Sequence, residues 1–152
     1  MEGIIIREYQ QEDWTRLIEI HDNSRIIELQ FAGLRDAFIP LAEAAFKEGL
    51  FDYTLCVALV KGKVIGFVAY SEDELAWLYV DPLYNCKGVG KCMVKYVIEN
   101  TYKRPLCVEV LEKNEPAIHL YKSMGFETIN ICSGVMPGNE LFNVTVLCME
   151  RL

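Results

Sequence analysis

The chain has 152 residues, 52% of them apolar and 24% charged, one domain's length with ample material for a core, which excludes a disordered chain. With 15 basic against 22 acidic residues its net charge is −7, which argues against a nucleic-acid surface and suits cationic partners through a long-range field. The longest apolar runs, residues 55–60 and 75–80, are six residues each, against the roughly 20 that a membrane-spanning helix needs. Glu2 stands where a signal peptide carries lysine, so the expectation is a single cytoplasmic domain over 1–152, off the membrane.

In chain order, residues 4–6 read as a first strand and 12–48 as a largely helical stretch. The second half of that stretch, 37–46, carries alanines and apolar residues at helical spacing, with Pro40 near its start. The pattern then changes to strand. Residues 55–60 and 64–70 flank Lys61, Gly62 and Lys63, a hairpin signature. A turn at 71–73 leads to a third strand at 74–80, which Pro82 ends. Residues 88–102 place Val89, Cys92, Met93, Tyr96 and Val97 on one helical face. A strand at 106–111, a short helix at 116–124 and strands at 127–132 and 143–149 complete the chain. The order is β-α-α-β-β-β-α-β-α-β-β, an α/β (α+β) mixed sheet with helices on its faces.

Six cysteines (Cys56, Cys86, Cys92, Cys107, Cys132 and Cys148) contain no C-x-x-C pair, and Cys56, Cys92, Cys107 and Cys148 fall inside core-like runs. Reduced, mostly buried thiols are expected. His21 and His119 have no ligand-spaced companion, so no metal site is expected.

Two segments carry chemistry. In the first, a strand ending at Val80 feeds a loop through Pro82, Asn85, Cys86 and Lys87 into Gly88, Val89, Gly90 and Lys91, where a helix opens. Free N–H groups at a helix start, beside Lys87 and Lys91, suit a phosphate. A Walker A loop would need glycine at 85 and Ser or Thr at 92, where Asn85 and Cys92 stand. A dinucleotide fingerprint would need glycine at 93, where Met93 stands, although Glu109 lies about 20 residues on. In the second segment, Glu109 sits mid-strand between Val108 and Val110, and Asn114, Ala117, Tyr121, Gly125 and Phe126 follow. A carboxylate in a buried strand is costly unless paired or used. Asn114 can cap the short helix and Gly125 can end it. Ala117, Leu120, Tyr121 and Met124 share a face, so spacing alone reads Tyr121 as core.

Together the two segments resemble the GNAT superfamily of acyl-CoA-dependent N-acetyltransferases. The likeness runs through Leu78, Tyr79, Val80, Pro82, Gly88, Gly90, Asn114, Ala117, Tyr121, Gly125 and Phe126, and the element order agrees along nearly the whole chain. Asn85 departs from the family's Arg or Gln and reaches less far toward a pyrophosphate.

The resemblance implies acetyl-CoA as co-substrate between splayed strands 74–80 and 106–111. Leu78 and Val80 backbone groups would hold the pantetheine, with Tyr79 between them. The loop from Cys86 to Lys91 would take the pyrophosphate, and Asn114 the cofactor arm. A cationic amine, of a small molecule or a protein, would then attack the thioester directly. Tyr121, with a reference pKa near 10, would be the general acid.

Two carboxylates compete as water-mediated base. Glu109 ranks first because its neighbours imply burial, which would raise its pKa into a working range. Glu74 opens the strand before the glycine loop and adjoins the turn residues Glu72 and Asp73. Glu19, Asp22 and Glu28 are candidates for the acceptor side, with a solvated helix face as their simpler explanation. Cys86 is expected to be an exposed thiol. A non-catalytic acyl-CoA sensor and a dinucleotide-binding domain are the rival readings, and both monomer and homodimer stay open.

Overall fold

The alternating run after Tyr53 folds as the expected hairpin in the computed structural model, which describes residues 3–152. Strand β2 (Thr54–Val60) turns through Lys61 and Gly62 into β3 (Lys63–Tyr70), and β4 (Glu74–Val80) follows antiparallel to it. The first strand, β1 (Ile5–Glu8), pairs with β2 and runs two residues further than its isoleucines suggest.

The stretch expected to be largely helical is two helices with short 3₁₀ turns around them. Helix α1 (Trp14–Phe31) stops at Ala32, where Leu34 N–H bonds Leu29 O at 2.8 Å and Gly33 N–H bonds Gln30 O at 3.1 Å. That pair of bonds satisfies the last carbonyls of the helix, and Leu34 packs back with Leu29. Helix α2 (Leu41–Lys47) begins after Pro40 rather than at Ala37, because proline is favoured at a helix start and disrupts its interior. Asp22 of α1 accepts the Leu41 N–H at 2.9 Å and fixes one helix to the other.

Helix α3 (Val89–Glu99) ends three residues before the expected 102, while strand β5 (Leu106–Leu111) and helix α4 (Glu115–Ser123) lie where their patterns place them. The last two strands are longer than expected. Strand β6 (Glu127–Met136) and β7 (Asn139–Arg151) form one hairpin closed by Pro137 and Gly138. Proline followed by glycine in this position matches a type II turn.

The seven strands form one sheet in the order β1-β2-β3-β4-β5-β7-β6. Every neighbouring pair is antiparallel except β4 and β5. One face packs α3 and α4 through Val68, Met93, Val97, Val108, Ile118 and Phe126. The other packs α1 and α2 through Leu17, Ile20, Leu41, Phe67 and Trp77. Truncating a fully buried leucine such as Leu17 to alanine costs about 2–5 kcal/mol. The parallel pair is short. β4 and β5 match only at Glu74–Cys107 and Leu75–Val108, so beyond Leu75 the sheet opens between them.

Candidate active site

A β4 irregularity accompanies the opening. Tyr70 pairs with Leu75 and Ala69 with Trp77, so Ala76 is an extra residue that bends the strand. Beyond it, the edge of β4 that faces β5 has no ladder partner on that side. Its N–H and C=O groups are an obligatory hydrogen-bonding row left for a ligand. The gap is the floor of a cavity of about 810 Å³, lined by Leu78, Tyr79, Val80, Glu109, Asn114 and Tyr121 among others.

At one end of the cavity Asp81 accepts the Leu83 N–H at 3.0 Å and forms an ion pair with Arg16. Burial pushes the Asp81 carboxyl up, but the Leu83 N–H and Arg16 outweigh it and hold the pKa low. The chain then passes through exposed Asn85, Cys86 and Lys87 to Gly88. Gly88 caps α3 in the left-handed conformation, at φ 84°, where a side chain is strained. No acid stands in the first turn of α3, so its free N–H groups and dipole face the cavity uncompensated. Gly90 has a different use. A Cβ there would lie 3.1 Å from Leu120 Cδ2, so its bareness lets α3 approach α4. Asn85, Cys86, Gly88, Val89, Gly90 and Lys91 line the cavity, whereas Lys87 stands outside the wall.

Tyr121 is both core and site. Its ring meets Phe126 edge-on at 5.5 Å and the residue is 4% exposed, yet it also lines the cavity. Burial, then the charge of Glu28, pushes its phenol well above the usual range, so it keeps its proton at neutral pH. Ala117 lines the cavity one turn earlier on α4.

The expected burial of Glu109 is corrected by the structure. Strand alternation puts Val108 and Val110 into the α3–α4 core and turns Glu109 to the opposite face, where it is exposed. Glu74 pairs with Cys107 and therefore shares the face of Glu109. It is half-buried at the neck of the opening and accepts a hydrogen bond from Tyr53 Oη at 3.1 Å. Both carboxylates line the cavity from the side opposite Tyr121.

Asn114 caps α4 as expected, its side-chain oxygen accepting the Ala117 N–H at 3.3 Å. Its amide donates to Glu28 at 2.7 Å. Of the three acids named on α1, only Glu28 faces the cavity. Glu19 forms a surface pair with Arg16, and Asp22 is committed to Leu41 and His21.

Arg25, Glu48 and Tyr53, none of them singled out from the sequence, line the cavity, as does His21, weighed above only as a metal ligand. Arg25 pairs with Glu28. Burial works against its charge, but Tyr79 and Glu28 hold the guanidinium pKa above its usual value. Burial pushes the Glu48 carboxyl up, with Arg25 opposing. A signal existed: His21, Ser24, Arg25, Glu28 and Phe31 line the cavity from one α1 stripe at helical spacing.

The family model described as "Acetyltransferase (GNAT) domain" matches residues 51–128, just over half of the chain. The chain belongs to the GNAT acetyltransferases. Within them it is 38% identical over 71 residues to the peptidyl-lysine N-acetyltransferase YiaC of Escherichia coli (strain K12), which is 45% of this chain and 47% of YiaC. The chain thus spans about half the length of YiaC. It is 28% identical over 125 residues to the peptidyl-lysine N-acetyltransferase YjaB of Salmonella typhimurium, 82% of this chain and 83% of YjaB. A GCN5-related N-acetyltransferase structure from Rhodopseudomonas palustris shares the fold, with a TM-score of 0.81 at 20% identity over 99% of this chain and 96% of that one.

Acetyl-CoA is the co-substrate of GNAT enzymes. The residues present here fit it: an unpaired β4 edge for pantetheine amides, and an α3 start without acids, with Lys91 beside it, for phosphate. The amide of Asn85 is in the cavity wall, at the place where the GNAT pattern has a longer side chain. Among the described residues no helix is long and apolar enough to cross a membrane.

Proposed function

We propose that residues 1–152 act as one N-acetyltransferase domain that moves the acetyl group of acetyl-CoA to a cationic primary amine, a protein lysine first among them. Acetyl-CoA supplies an activated acetyl thioester. The β4 edge at Leu78 and Val80 aligns it, and the α3 start at Gly88–Gly90 anchors its phosphates. The amine nitrogen attacks the carbonyl carbon, the C–S bond breaks, and the Tyr121 hydroxyl gives its proton to the departing thiolate. The ammonium first gives one proton through water to a carboxylate on the opposite face of the sheet, and the proton its nitrogen loses after the attack restores the Tyr121 phenol. Glu74 is better placed for this than Glu109, being half-buried at the neck and oriented by Tyr53.

The observation that carries this reading is the arrangement across the opening: a neutral phenol on one face and two carboxylates on the other, with unpaired backbone between them. The acceptor half is lined by Glu28, Glu48, Glu74 and Glu109 with Tyr53 and Trp77, which suits an ammonium on an apolar stem. The names of YiaC and YjaB support lysine as the acceptor.

Tyr121→Phe tests the acid. General acid catalysis contributes about 10²–10⁴-fold, so kcat should fall by that much while acetyl-CoA affinity is kept. An unchanged kcat in a chemistry-limited assay would return Tyr121 to the core alone.

A further inference from the structure

Strand β7 presents Val144, Val146 and Cys148 on one face at strand spacing, and the two valines line the cavity. Cys148 continues that row, directly opposite Glu109 on β5. On the other side of β7, Cys132 stands opposite Val146 and Asn130 opposite Cys148. The two thiols are thus diagonal neighbours on the same face of the hairpin. Both are free and half-buried, and their Sγ atoms are 3.3 Å apart. No other pair of cysteines is in Sγ contact among the hydrogen bonds of the described residues.

A disulfide needs about 2.05 Å between sulfurs, so closure asks for roughly 1 Å of further approach. The surroundings permit it. Strand β6 is the sheet edge, and it carries an extra residue at Ile129, between the pairs made by Thr128 and Asn130. Cys132 can therefore shift while disturbing a single ladder, three residues from a point where that ladder is already broken.

We propose that Cys132 and Cys148 are a dithiol modification site that hydroperoxides oxidise to an intrachain disulfide. Cys132 as thiolate attacks one peroxide oxygen; the O–O bond breaks and the other oxygen leaves as an alcohol, or as water from hydrogen peroxide, taking a proton. Cys148 sulfur then attacks the sulfenic sulfur of Cys132, the S–O bond breaks, and a second water leaves with the Cys148 proton. The two thiols lose two hydrogens and the peroxide is reduced by two electrons. The order of attack follows from the shared proton. The hydrogen bond to Cys132, and then burial, push the Cys148 thiol up to about 11, so Cys148 keeps its proton and enters second.

The test is peptide mapping of the full chain after hydrogen peroxide, alkylation of the remaining thiols and digestion without reduction. The expected product is a Cys132–Cys148 cross-linked peptide pair, lighter by two hydrogens. It should form before any other cross-link, in chains that still run as monomers on a denaturing gel, and glutathione should reverse it. In Cys132→Ser, Cys148 should oxidise no faster than Cys107. Recovery of Cys132 and Cys148 as separate thiols or sulfinic acids, or joined only between chains, would overturn the proposal without needing any variant.

Discussion

Glu74 and Glu109 share one face of the sheet but not one environment, and on the proposed mechanism that difference favours Glu74 as base. Glu74 is half-buried and held by Tyr53, whereas Glu109 is exposed. A base matters most where the amine is protonated, so Glu74→Gln should depress kcat/KM by about 10²-fold, most at low pH. Glu109→Gln should change it little. A pH profile of both variants checks this, and a large loss from Glu109→Gln alone would reverse the assignment. His21 makes a separate prediction about stability. It is buried against Tyr79 and Trp77, and burial lowers its pKa below 6.5 despite Asp22. Below pH 6.5 the unfolded chain therefore binds a proton that the folded chain resists. Stability from this residue is full above pH 6.5 and declines as the pH falls toward the folded value. Asp13 and Asp81, whose pKa values are lowered from 3.8, act only at lower pH. Thermal melts between pH 7.5 and 5.5 should fall more steeply for the wild type than for His21→Asn. Equal slopes would remove His21 as the cause.

At the scale of elements, the loop before α3 is where sequence and structure agree most closely. Cys86 is exposed there, while the other five cysteines are buried or half-buried. Cys86 should be alkylated first and be protected by CoA. Peptide mapping that finds no preference, or no protection, would remove the loop from the cofactor's contacts. The bounds of β4 and β5 were legible because each is an apolar run closed by a turn or proline. Their mutual register was not. Nothing in either run states that only two residue pairs of β4 and β5 meet. The β6–β7 hairpin was read short because its middle is exposed and carries Gly134, Asn139 and Asn143, which pair through backbone and lack strand propensity. Glu109 was misplaced for a related reason. Apolar neighbours along a strand point to the opposite face, so Val108 and Val110 predict exposure as readily as burial. The cysteines repeat the lesson, since of the four read as core only Cys56 is fully buried.

For the whole molecule, the net charge of −7 and the acids around the proposed acceptor half of the cavity have the same sign, which on the proposed reading favours a cationic amine. The other end has Lys91 in the cavity wall and an acid-free helix start, so on the proposed reading the two substrates would meet surfaces of opposite sign. The GNAT element order was legible in the sequence, while the bridge from Glu28 to Asn114 joins residues 86 apart and needed the fold. The central claim is direct transfer across the β4–β5 opening. It is tested most directly by following CoA release from acetyl-CoA with lysine peptides, polyamines and other amines, using the wild type beside Tyr121→Phe. The account predicts amine-dependent CoA release that drops about 10²–10⁴-fold in the variant. Tight binding of acetyl-CoA with no amine-dependent release from any acceptor would contradict it and leave a cofactor-binding module.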